Sequence, residues 1–272
     1  LGTGSDTILG QIAAEVLGVP LEKIIVRSSD TDLTPFDVGA YASSTTYMSG
    51  MAVQRAAYDV ASQIRTVAAE MLEVDANEVE LTNERAGPPE GDSVSLSQLA
   101  HRSLYGENQR QIGALASCVP ELSPPPFLAA FAEVRVDVVT GKVEVVDFIA
   151  AIDCGTAINP QLAEGQVEGA VVNGIGYALT EEMVFDRMGR CRTTDLGRYK
   201  ILAITDVPPL EVVLVESFEP TGPMGAKSVS EIGINAPIPA IANAIHDATG
   251  VWLTETPFTA ESVWRALNGL GS

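Results

Sequence analysis

The chain has 272 residues, of which 46% are hydrophobic and 19% charged, and a mean hydropathy of +0.18, enough apolar material for one large domain or two smaller intertwined units. Its 36 acidic residues against 16 basic ones give a formal charge of −20, which speaks against nucleic acid or an anionic membrane surface as a partner. Cys118, Cys154 and Cys191 stand far apart and the only histidines are His101 and His246, so these spacings assemble neither a zinc cage nor an iron–sulfur site, and no metal-ligating residue is assigned.

The chain opens on Leu1-Gly2-Thr3-Gly4-Ser5-Asp6 instead of Met, as expected of a processed piece or of numbering that begins inside a longer protein. Ser5-Asp6 can cap a helix whose apolar positions Ile8, Leu9, Ile12, Val16 and Leu17 recur at helical spacing and stop at Gly18-Val19-Pro20. Residues 23–28 read as a strand, and after a polar turn and the bend from Pro35 to Gly39 a long helix is expected from about Ser44 to Glu73. Its apolar face holds Tyr47, Met48, Met51, Tyr58, Ile64, Val67 and Met71. Residues 74–126 turn polar and rich in Pro and Gly, a surface excursion with one short helix after Ser95.

Residues 131–139 and 143–152, joined by Thr140-Gly141-Lys142, alternate apolar and polar as a β-hairpin does. Asn159-Pro160 then starts a second long helix over residues 161–182, because proline suits a first helical turn. A hairpin over 184–192, a strand over 211–216 and a helix over 240–249 complete the pattern. Helices and hairpins interleave without βαβ alternation, so the expected class is α+β, with long helices packed on mixed sheets and hairpins and a division near residue 126, giving subdomains 1–126 and 127–272. No apolar run reaches the ~18 residues of a membrane span and no secretory leader pattern opens the chain; with few, unpaired cysteines, the reading is a cytoplasmic protein.

Four segments could carry chemistry. Ala42, Ser43, Ser44 and Thr45 follow Gly39 at a helix start, where free N–H groups and hydroxyls suit a phosphate or a polar ring edge; plain N-capping also accounts for them. Gly2, Thr3 and Gly4 precede a helix in the same way, or form only a tight turn. Gln166 lies among Gly165, Gly169, Gly174 and Gly176; helix packing explains the glycines, whereas a primary amide there can donate to and accept from a cofactor edge. Lys227, Ser228 and Ser230 lead to Glu231, the only charge from Ser228 to Asn243, which is either a surface carboxylate near a helix start or a general base. Glu231 has no evident second carboxylate, nucleophile or metal cluster, so chemistry there would need a reactive cofactor.

Taken in order, Gly2-Thr-Gly-Ser-Asp-Thr7, Gly39-Ala-Tyr-Ala-Ser-Ser44, Glu133-Val-x-Val-Asp137 with Thr140-Gly-Lys-Val143, Asp153-Cys-Gly-Thr-Ala-Ile-Asn-Pro160, Gly165-Gln-Val-Glu-Gly169 and Gly225-Ala-Lys-Ser-Val-Ser-Glu231 resemble the molybdenum hydroxylases of the xanthine oxidase family. The likeness is to the C-terminal half of the molybdopterin-binding subunit, covers nearly the whole chain, and leans toward nicotinate and xanthine dehydrogenases. It implies a molybdopterin-dependent oxidoreductase that hydroxylates an aromatic N-heterocycle, nicotinate- or purine-like, or an aldehyde, using water as oxygen source and Glu231 as catalytic base. It further implies that Gly2, Thr3, Gly4, Ala42, Ser43, Ser44 and Thr45 line the pyranopterin and its tail, in the mononucleotide or cytosine dinucleotide form, that Gln166 contacts the pterin, and that Lys227, Ser228 and Ser230 border the metal site.

Ser230 departs from the glycine usual before the glutamate, Thr3 from a frequent Gln and Ser44 from an occasional Arg, and the Gly-Gly-x-Phe-Gly-Gly motif of the first molybdopterin half is absent. The resemblance therefore implies partner polypeptides: one carrying the first molybdopterin half, one carrying iron–sulfur clusters and one carrying FAD. A noncatalytic structural subunit of such a complex is the alternative expectation.

Overall fold

A computed structural model describes residues 2–270, which divide into two compact units, the residues up to Pro124 with Phe218–Ser228, and Pro125–Ser217 with the residues from Val229 onward. Among the described residues no helix is long and apolar enough to cross a membrane.

In the first unit, α1 (Ser5–Leu17) packs against α2 (Gly50–Leu72). Helix α1 starts from Gly4 at φ 81°, without a side-chain cap from Ser5 or Asp6, and ends on Gly18 at φ 63°. A wider π-type turn, Thr45–Ser49, leads directly into α2, so the expected long helix is present. Its buried stripe is Ala57, Ala61, Ile64 and Ala68, at helical spacing, whereas Tyr58, placed on the apolar face by sequence, is 52% exposed.

The strand expected over residues 23–28 is not formed. Leu21–Lys23 make one 3₁₀ turn, and the side chains of Ile24 and Val26 lie beside Gly10 of α1, but among the described residues no neighbouring strand completes a ladder. Conversely, the polar excursion is more structured than its composition suggests. It carries the antiparallel sheet β1 (Glu80–Thr82), β2 (Arg85–Gly87) and β3 (Val94–Ser95), then α3 (Leu96–Tyr105) with a capping box between Ser95 and Gln98. Val79, Ala86, Val94 and Leu99 form a buried cluster with Ile64 and Val67 of α2.

The second unit is built on a three-stranded sheet. Strands β4 (Phe127–Val136) and β5 (Val143–Asp153) are the expected hairpin, antiparallel with an irregularity at Glu133/Val134, and β6 (Leu210–Leu214) joins β5 in parallel. Asp137 shapes the turn by accepting from the N–H groups of Val139 and Thr140, which holds its carboxyl below the usual range. Phe148, Ala150 and Ile152 point to one face of the sheet, fully buried with Val167, Val171 and Ile175 of α4 (Pro160–Leu179) and Ile241 and Ile245 of α5 (Pro237–Thr249). Asn159 caps α4 by accepting from the N–H of Leu162, and Pro160 is its first residue. The hairpin expected over 184–192 is present in short form, an antiparallel bridge from Phe185 to Cys191 flanked by bonds from the N–H of Arg192 to the carbonyl of Val184 and from the N–H of Asp186 to that of Arg190. A last helix, α6 (Ala260–Leu267), has no counterpart in the sequence reading; Thr259 caps it and Val263 anchors it.

Gly141 closes the β4–β5 turn at φ 76°, and a Cβ there would lie 2.1 Å from the carbonyl oxygen of Ala260. Gly141→Ala should therefore cost about 3 kcal/mol in denaturant unfolding, from the left-handed backbone and the clash together. Gly113→Ala, with nothing within 4 Å and no positive φ, should stay within about 0.5 kcal/mol of the parent.

Candidate functional site

The first unit gathers two helix starts and one returning segment. Gly2, Thr3 and Gly4 form the turn before α1, with Gly2 and Thr3 exposed. Ala42 and Ser43 both adopt left-handed backbone, at φ 51° and 53°, just before the turn into α2. Ser44 follows, its N–H donating to the carbonyl of Tyr41 and its hydroxyl to that of Gly39, and Thr45 begins the π-type turn. Asp37 steadies this loop, accepting from the N–H of Gly39 at 2.7 Å and from the Ser49 hydroxyl at 2.9 Å.

Residues 218–228 lie against the start of α2. Pro223 sits over Gly50, where a Cβ would come within 3.0 Å of its ring. Gly222 has no alternative: a Cβ there would be 1.9 Å from the carbonyl oxygen of Ala226. The hydroxyls of Tyr47 and Thr221 are 2.7 Å apart, and Thr221 donates to Glu219 twice, through its hydroxyl at 2.6 Å and its N–H at 2.9 Å. These bonds hold the Glu219 carboxyl below its ordinary value of 4.5, helped by the positive charge of Lys227. Lys227 is 9% exposed, and Ser228 ends the segment, half-buried.

The second unit holds Gln166, Ser230 and Glu231. Gln166 lies in α4, and the Ser230 hydroxyl donates to its Oε1 at 3.1 Å. Glu231 is exposed and begins a 3₁₀ turn, Glu231–Ile234, that runs along α4. The fit is tight: a Cβ on Gly233 would be 2.9 Å from that of Ala170, and one on Gly174 would be 2.6 Å from the ring of Pro237. Gly174 is thus a packing glycine. Gly165 and Gly169 are not, because a Cβ on either meets nothing within 4 Å and neither has a positive φ. Their bareness leaves backbone open beside Gln166.

The donors so placed are backbone N–H groups at helix starts, small hydroxyls, one primary amide and one buried ammonium. Among the described residues no group of three or more His, Cys, Asp or Glu side chains is placed to hold a metal ion. In each unit this donor set fits an organic group rich in ring heteroatoms and phosphate oxygens, held by hydrogen bonds, with any metal carried by that group. Asp37, Tyr47, Glu219 and Thr221 were missed by sequence reasoning. Only the glycine and proline at 222 and 223 signalled a fixed turn, and nothing local named its partner on α2.

The sequence matches the molybdopterin cofactor-binding domain family over residues 1–208. It is 42% identical over 271 residues to a probable hypoxanthine oxidase, XdhD, of Escherichia coli K12, covering 98% of this chain and 28% of that protein. It is 36% identical over 277 residues to the xanthine dehydrogenase molybdenum-binding subunit of Escherichia coli O157:H7, covering 100% of this chain and 37% of that one. Among solved structures, quinoline 2-oxidoreductase from Pseudomonas putida 86 superimposes with a TM-score of 0.93 at 27% identity, covering 98% of this chain and 35% of that one. The chain thus spans about a third of the length of the relatives it matches.

Glu219 gives a pH-dependent test of the returning segment. Its folded pKa is depressed, so its charged hydrogen bonds contribute fully above the ordinary 4.5 and are lost as pH falls through the lower folded value. Glu219→Gln should melt below the parent near neutral pH, and the gap in melting temperature should close in acid below that value.

Proposed function

The chain belongs to the molybdopterin cofactor-binding family, and on that footing we propose that it forms part of the active site of a molybdenum-containing hydroxylase. The proposed substrate is an aromatic N-heterocycle, purine-like in preference to nicotinate-like, or failing that an aldehyde, and the oxygen comes from water. The names of the hypoxanthine oxidase and xanthine dehydrogenase relatives support the purine preference.

The carrying observation is the placement of Glu231. It heads a turn pressed onto α4 through Gly233, one residue after the hydrogen bond that ties Ser230 to Gln166. A carboxylate carried on a turn held in this way can take a proton from water as its oxygen attacks an electron-poor carbon. When bound, the cofactor would supply a centre that accepts the two electrons of the broken C–H bond together with its hydrogen.

The other residues of this chain bind and orient. The backbone and hydroxyls of Ala42, Ser43, Ser44 and Thr45, and the turn of Gly2, Thr3 and Gly4, offer N–H groups at helix starts to a phosphate or to the cytosine dinucleotide tail. Gln166 addresses the pterin edge, while Lys227, with Ser228 and Ser230, brings positive charge and donors toward the centre. A second polypeptide or domain supplies the remaining molybdopterin contacts, and iron–sulfur and FAD subunits carry electrons away.

In the complex purified with its partner chains, Glu231→Gln should lower turnover by about 10²–10⁴-fold while molybdenum per complex, read by elemental mass spectrometry, stays at the parental level. An active variant complex would remove Glu231 from the role of base. It would favour a structural subunit, whose deletion would disperse the complex.

A further inference from the structure

Ser230 has φ 103° and ψ −78°, a backbone region open to glycine and strained for a residue with a Cβ. The strain is held by a fold that pins the residue on its C-terminal side. Its carbonyl accepts from the N–H of Gly233 at 2.9 Å, and Gly233 itself sits against Ala170 of α4. What serine adds over glycine at this point is a Cβ, the source of the strain, and one hydroxyl, and that hydroxyl donates to Oε1 of Gln166 at 3.1 Å.

A primary amide offers an acceptor at one end and two donors at the other, and a half-turn about its last bond exchanges them at little cost. An amide free to turn is an indifferent reader. We propose that Ser230 is a positioning residue: by occupying Oε1 it fixes the amide of Gln166 so that the side chain presents its NH₂ group, and hence only donors, to the bound cofactor. The half-buried amide then favours acceptor atoms, such as a ring carbonyl or an unprotonated ring nitrogen, over N–H groups. The open backbone at Gly165 and Gly169 leaves room for such a group to approach. This inference rests on the reading that Gln166 faces the cofactor.

The test uses the complex with its partner chains in four versions: parent, Ser230→Gly, Gln166→Ala and the double variant. Two quantities are read: the rate at which molybdenum is lost on dilution and gel filtration, and the urea midpoint of the cofactor-depleted complex. Ser230→Gly should raise the urea midpoint, because glycine relieves the backbone, and yet lose molybdenum about fivefold faster, the worth of one oriented hydrogen bond. The double variant should lose it no faster than Gln166→Ala, since Ser230 acts only through the amide.

If Ser230→Gly holds molybdenum at the parental rate while Gln166→Ala does not, the positioning role is overturned and the cofactor reading of Gln166 stands. If Ser230→Gly is both less stable and quicker to lose molybdenum, the loss is structural and the proposal is overturned. If Gln166→Ala itself holds molybdenum at the parental rate, the reading beneath the proposal fails, and the proposal with it.

Discussion

Between the 3₁₀ turn at residues 231–234 and helix α4 there is no space for another carbon atom, and the candidate residues of the second unit depend on that closeness. Gly233 meets Ala170, and Gly174 meets Pro237. Each contact needs a missing side chain on one partner, so two backbones lie within van der Waals reach where ordinary residues would hold them apart. The consequence is positional. Glu231 and Ser230 are carried by a segment with few ways to move along the helix, and Gln166 is carried by the helix itself. Behind α4, its buried valines and Ile175 lock it to Phe148 and Ile152 of the sheet, so the geometry at residues 230 and 231 is referred to the hydrophobic core.

The first unit reaches a similar result by different chemistry. There the glycines at 50 and 222 permit close approach, but polar bonds fix the register: Tyr47 to Thr221, and Thr221 to Glu219 through two hydrogens. This polar chain is more than a fastening. Lys227 is almost fully buried, and burial of an ammonium is costly unless negative charge stands near. Glu219, whose carboxyl the hydroxyl and N–H of Thr221 hold below its ordinary range, is such a charge, and the positive charge of Lys227 favours its ionised form. The residues that anchor the segment therefore also bring negative charge to the same segment as its buried cation.

Local pattern revealed what local chemistry determines. The alternation over residues 131–152 could be satisfied only by a hairpin, and Asn159-Pro160 marked the start of α4, because a capping amide and a proline act on their own few residues. The failures are non-local. Residues 23–28 have the composition of a strand but, among the described residues, no strand with which to pair, and Tyr58 falls within the helical period yet outside the buried stripe. Residues 80–95 looked like polar loop because strands of two or three residues are too short to display a period. For the candidate site, the sequence named Gln166 and Ser230 one by one. It could not join them, since the hydrogen bond spans 64 positions. Nor does a departure from the family's glycine, read alone, distinguish a serine that crowds from a serine that donates.

The placement of Glu231 bears on how the proposed chemistry would be divided. A base that serves a developing charge works best where water is excluded and neighbouring dipoles are fixed. In this chain the second condition is met near Glu231, through the pinned turn and α4, whereas its side chain is exposed. On the proposed reading, exclusion of water must then come from the cofactor, the substrate and the polypeptide that accounts for the rest of the length of the relatives. Such a division has a physical advantage. The costly features, namely the strained Ser230 and the close glycine contacts of the second unit and the buried Lys227 of the first, are each held by their own unit before anything binds. The parts that confer enclosure are added by association, so reactivity at Glu231 would be confined to the assembled complex.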